Sequence, residues 1–118
     1  MALSDDNSTK AMIYFIPFQV ETYQPITPQN IKDKATYTLE IRSEESLSRI
    51  ALIFNRNDEM TEKFDAKRVR LLFEHKSKAL YVDSYGNVLS NDKQFALSKK
   101  DFEDLQDFLS HLIKETKK

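Results

Sequence analysis

The sequence predicts an α+β fold: a mostly antiparallel sheet of four to five strands with two main helices packed on one face. Three stretches carry that expectation. "TYTLEIR", residues 36–42, alternates polar and apolar positions without a break. "ALYVDSYGNVLS", 79–90, places two strand-like runs around Gly86, the one glycine of the chain. "LSKKDFEDLQDFLSHLIK", 97–114, joins a helix-start signal to a long apolar stripe.

Residues 1–9 read as a polar, disordered tail and 10–118 as a single domain. Asn7-Ser8-Thr9 is formally a glycosylation sequon, within that tail. "KAMIYFIPFQV", 10–20, is rich in β-branched and aromatic residues and reads as a strand. Pro17 has no N–H to give a ladder, so this strand lies at an edge or breaks there. In the connection 21–35, Thr27 offers a cap for a short helix, with Pro28 at its first position and Ile31 turned inward.

In 36–42, Tyr37, Leu39 and Ile41 share one face, while Thr36, Thr38, Glu40 and Arg42 form a wet one. Ser43 is placed to cap a helix over 44–54, whose first turn carries Glu44 and Glu45. Its apolar stripe is Leu47, Ile50, Ala51 and Phe54. Residues 55–63 form a polar loop, and "KRVRLLFEH", 67–75, is a strand. The shared parity of Arg70, Glu74 and Lys76 assigns them to a charged solvent face. Asp83, Ser84, Tyr85 and Gly86 suit a type I turn with the glycine in the left-handed region, closing a hairpin. "KQFALS", 93–98, adds a short strand.

The last helix has Ser98 as cap, Asp101 in the capping-box position, and Leu97 and Phe102 as a hydrophobic staple. Phe102, Leu105, Leu109 and Leu112 form its stripe, widened by Phe108 and Ile113, and Lys114 suits its negative end. The element order is β-β-α-β-β-(β)-α, with no linker that would divide the chain.

Composition narrows the chemistry. A single glycine is too few for a P-loop or a dinucleotide-binding loop, whose backbone must approach phosphate closely. With no cysteine, disulfides, thiolate nucleophiles and cysteine–zinc sites are excluded. Eighteen basic and 19 acidic residues leave a net charge of −1, which offers no overall cationic field for nucleic acid or anionic lipid. The longest apolar run is six residues, 11–16, far below a membrane span of about 20. The first residues lack an apolar signal-peptide core. The expected compartment is the cytoplasm, with the periplasm as the alternative for a chain whose leader has been removed.

Asp65, Glu74 and Lys76 follow the D…E-x-K order of metal-dependent nucleases. Such a site needs both acids on one cation. Residues 66–73 hold no turn former, and a single strand would separate the acids by about 30 Å at roughly 3.3 Å per residue. The order is therefore read as a charged strand face. His75 and His111 show no ligand spacing to a carboxylate cluster. No G-x-S-x-G elbow accompanies the serines. Arg68, Arg70, Lys76 and Lys78 are the only basic run, near Phe73 and Tyr81, but the glycines of an RNA-binding sheet motif are missing. Tyr14, Phe15, Phe18 and Tyr23 make the first segment aromatic; most are assigned to the core, and at a sheet edge they would offer an interaction surface.

Asp101, Glu103, Asp104 and Asp107 give the terminal helix an acidic front suited to a basic partner. The sequence is thus read as a noncatalytic protein-binding domain. Its most concrete form is an immunity or inhibitor protein that neutralises a cognate bacterial toxin, with those four acids as the partner-binding residues. No catalytic residue, metal or cofactor is assigned. The alternatives are a small hydrolase or nuclease whose site forms only in three dimensions, and an RNA-binding or adaptor module.

Overall fold

The computed structural model describes residues 10–55, 63–90 and 93–116. The expectations placed on the 1–9 tail, and on residues 56–62 of the polar loop, fall outside the described residues. The chain runs β1 (Ala11–Phe15), α1 (Ile31–Lys34), β2 (Tyr37–Ile41), α2 (Glu44–Asn55), β3 (Val69–His75), β4 (Lys78–Asp83), β5 (Asn87–Ser90), β6 (Lys93–Ala96) and α3 (Lys99–Thr116).

The fold is α+β with a six-stranded sheet of order β2-β1-β3-β4-β5-β6, every neighbouring pair antiparallel. Four to five strands were expected. The 79–90 segment supplies two of the six, and 93–96 closes the far edge. The β3–β4 hairpin turns on Lys76 and Ser77 alone, with Lys76 at φ 58°, a turn that no glycine or asparagine announces. β2 and β3 both flank β1, so they run parallel to each other and α2 carries the chain between them. β1 is therefore an interior strand. Pro17 is compatible with that place because the strand ends at Phe15.

The sheet is covered on both faces. α2 and α3 close one core, in which Ile13, Leu39, Ile41, Ile50, Leu71, Val82, Val88, Leu105 and Leu109 are buried. On the opposite face Ile16, Ile26 and Ile31 of the 16–31 segment meet Val69 and Leu72, while Phe18 of the same segment turns into the first core. The third, short helix α1 belongs to this second layer. It begins later than Thr27: Asn30 is its cap, and the Asn30 side chain accepts the Thr27 N–H at 2.8 Å instead. β2 keeps its expected alternation, with Leu39 and Ile41 buried and Thr38 and Glu40 exposed. On α2, Ala51 faces solvent and Ile53 is buried, so the stripe is Leu47, Ile50, Ile53 and Phe54.

Local signals position the helices. Ser43 Oγ accepts the Ser46 N–H at 3.1 Å, and Ser98 Oγ accepts the Asp101 N–H at 3.0 Å. Gly86, at φ 87°, donates its N–H to Asp83 O at 3.2 Å, as a type I turn requires. A Cβ there would also stand 3.4 Å from the Phe102 ring. Gly86→Ala should therefore destabilise the protein by about 1–2 kcal/mol, the cost of a left-handed conformation for an L-residue. A chemical denaturation midpoint unchanged from wild type would contradict this account of the turn.

Candidate functional site

Among the described residues two surfaces set charged side chains beside exposed large apolar ones. The first is the expected acidic front of α3, which the fold divides. Asp101 is only 4% exposed, and so does not belong to a solvent-facing front. It is the third residue of the first turn, and its backbone N–H donates to Ser98 Oγ. Glu103 and Asp107 are exposed, and Asp104 is half-buried. Asp104 and Asp107 line a cleft of about 290 Å³ together with Arg49, Leu52 and Ile53 of α2. Arg49 lies over the Phe108 ring at 5.5 Å, while Leu52 is left 54% exposed. The front is thus a pair of carboxylates beside an exposed leucine, with one arginine partly offsetting them.

The second surface lies at the end of the sheet where β3 begins and β4 ends. Its organising group is Asp83, fully buried. One carboxylate oxygen accepts the N–H groups of Tyr85 and Asn87, both at 2.9 Å. The other accepts Asp65 N–H at 2.9 Å and Asn87 Nδ2 at 3.1 Å. The carboxylate so fixes the β4–β5 turn and the segment entering β3.

Arg70 stands at a bulge in β3, where Val69 pairs with Asp83 and Leu71 with Val82. Its parity with Glu74 and Lys76 predicts a solvent face. Instead it is 2% exposed, because the 16–26 segment covers this face and the bulge breaks the strand's parity. Its guanidinium donates to Val69 O at 3.0 Å and Val20 O at 3.1 Å, and its Nε is buried without a partner. Burial, and then the charge of Arg68, lower its pKa from the ordinary arginine value. Arg70 lines a second cleft, also of about 290 Å³, with Glu21, Tyr23, Asp65, Lys67 and Arg68. Arg68 sits 3.7 Å from the Asp65 carboxylate and lies over the Tyr85 ring at 5.7 Å.

The remaining sequence candidates are dispersed. Asp65 belongs to this cleft, whereas Glu74 pairs with Lys32 of α1 at 2.8 Å. That hydrogen bond, followed by the Glu74 charge, raises the Lys32 pKa. The basic run is split, with Arg68 and Arg70 before and at the start of β3, and Lys76 and Lys78 beyond its other end. His75 lies tilted beside Phe73, with ring centroids 6.3 Å apart, and His111 shares a shallow depression with Asp107, Arg49, Ser110 and Lys114. Among the described residues no three His, Asp or Glu side chains are grouped to hold a metal ion. None of the described helices is long and apolar enough to cross a membrane. Compared with protein-family models, with curated proteins and with solved structures, the chain has no match.

Sequence reasoning missed Arg70 and Asp83. For Arg70 the available signal was an arginine inside the run Val69–Phe73. For Asp83 it was an aspartate opening a turn, where its side chain commonly accepts backbone N–H groups.

Proposed function

We propose that the protein is a noncatalytic protein-binding domain, in its most concrete form an immunity or inhibitor protein for a basic toxin domain. The observation that carries this reading is the α2–α3 cleft, where Leu52 stands exposed beside Asp104 and Asp107. An apolar centre rimmed by charge is the anatomy of a protein interface. Carboxylates on the rim attract a basic partner and raise its association rate. Glu103 and Asp107 extend the acidic rim along α3. The four-acid front reduces in this reading to Glu103, Asp104 and Asp107, with Leu52 added.

The test is binding to a candidate toxin domain, the product of an adjacent reading frame, followed by surface plasmon resonance and by growth of cells producing both proteins. Asp107→Lys should slow association at least tenfold at low salt, and the wild-type on-rate should fall as salt rises. Leu52→Asp should weaken affinity at least tenfold and remove growth protection. Both positions are exposed, so stability should stay within about 0.5 kcal/mol of wild type. Unchanged binding in both variants would remove this cleft from the interface. A toxin domain that binds without being neutralised would remove the inhibitor role.

A further inference from the structure

We propose that the cleft around Arg70 is a second docking site, one that takes an acidic segment of a protein partner. The inference does not depend on the α2–α3 cleft, and it concerns a partner surface of the opposite charge.

The first observation is a buried guanidinium that no carboxylate contacts directly. Arg70 is 2% exposed, yet among the described residues no carboxylate forms an ion pair with it. Two of its five N–H groups donate to the Val69 and Val20 carbonyls, and Nε has no acceptor. A guanidinium held out of water in this way is costly unless an anion joins it. Asp83, whose carboxylate is taken up by four N–H groups, acts on it only at a distance. So do Glu21 and Asp65, and Asp65 is already engaged: it accepts the Lys67 N–H at 2.9 Å and faces Arg68. Three cations, Lys67, Arg68 and Arg70, line the cleft against those two carboxylates.

The second observation concerns what surrounds the cleft. Among the described residues four large apolar side chains are exposed; one of them lines this cleft and two belong to residues that contact its arginines. Tyr23 lines the cleft with its side chain fully in solvent. Val20 precedes the cleft-lining segment and gives its carbonyl to Arg70, and Tyr85 lies beneath Arg68. Tyrosine and arginine are the residues enriched in protein interfaces and among their energetically dominant contacts. The arginine fork binds a carboxylate through paired N–H groups. Together these features describe a carboxylate gripped by the exposed Arg68, with the nearly buried Arg70 adding its charge from the cleft lining and Tyr23, Val20 and Tyr85 beside the chain that carries it. The scaffold beneath is stiff, because the Asp83 hydrogen bonds hold the 65 and 85 backbone in place.

A ten-residue glutamate peptide is the probe, titrated into the full-length, isotope-labelled protein at low salt and followed by amide chemical shifts. The expected result is saturable shifts concentrated at residues 20–25, 65–70 and 85. Arg68→Glu, at an exposed position, should weaken the dissociation constant at least tenfold while leaving the fold intact. Arg70→Met should do the same; should that variant fail to fold, Arg68→Glu together with Lys67→Glu decides the matter. A lysine peptide of equal length should leave these amides unmoved. Shifts that scatter over lysines elsewhere, or equal affinity in the variants, would overturn the proposal. Inorganic phosphate producing the same shifts at the same concentration would replace it with a free-anion site. A uridine oligonucleotide binding more tightly than the peptide would replace it with a nucleic-acid site.

Discussion

Leu105→Ala should lower the stability of the protein by about 2–5 kcal/mol, the range for removing a leucine from a closed core. Leu105 has no exposed surface and sits mid-stripe on α3, between Phe102 and Leu109. Its side chain belongs to the core that α3 forms with α2 and the sheet. The substitution removes the transfer free energy of the lost carbons and leaves a void that a sheet closed on both sides cannot readily fill. Neighbouring contacts make collapse harder still: Phe102 packs edge-on against Phe18 at 4.7 Å and closes over Gly86. Urea unfolding measures the loss. Leu52→Ala is the control, because that leucine is mostly in solvent and its replacement should fall within about 0.5 kcal/mol. A Leu105→Ala change as small as that of the control would show that α3 is not docked as described.

The elements that were legible in the sequence are those whose information is local. β2 shows its face by strict alternation, α3 by a cap, a staple and a stripe, and the β4–β5 turn by Gly86. The rest depended on what the chain places over the sheet. Nothing local in 16–31 says that it folds back across β3, yet that covering turns Val69, Leu72 and Arg70 into buried residues. A strand covered on both faces loses the alternation from which its solvent side would be read. On α2, Ile50, Ala51, Ile53 and Phe54 allow two neighbouring stripes, and the position of α3 selects Ile53 over Ala51. Pro17 suggested an edge because a missing N–H is cheapest there. The strand instead ends just before it, which meets the same constraint in the middle of the sheet.

The candidate sites were less legible than the fold, for a related reason. Charge sequence gives runs, whereas binding needs charges that converge. The acidic run on α3 is a helix face in part only, since the capping geometry draws Asp101 inward. The basic run breaks because a strand carries its two ends apart, sending Lys76 and Lys78 away from Arg68 and Arg70. Leu52 was invisible as a site residue, because exposure of one apolar side chain on a helix follows from where the neighbouring helix lies.

Asp83→Ala should destabilise the protein by about 3–5 kcal/mol, a large effect for one polar side chain, because it removes the acceptor of a buried hydrogen-bond network. Four donors converge on that carboxylate, three of them backbone N–H groups. Alanine leaves them facing one another in a site with no exposed surface at position 83. Each bond to a charged acceptor contributes about 1.5–3 kcal/mol, and the total falls below their sum because water enters and the loop relaxes. Asp83→Asn keeps one acceptor oxygen for the Tyr85 and Asn87 amides and turns an NH2 group toward Asp65 N–H. It should therefore lose less than alanine but clearly more than an exposed substitution. Hydrogen exchange separates this mechanism from a general loosening: protection should fall first at the amides of Asp65, Tyr85 and Asn87, while those of β1 and β2 follow only with global unfolding. The Arg70 cleft shares this foundation, since Asp65 and the turn bearing Tyr85 are both held by Asp83. A stability loss under about 1 kcal/mol for Asp83→Ala would mean that the four hydrogen bonds are replaced by solvent, and that the end of the sheet is not the rigid platform described.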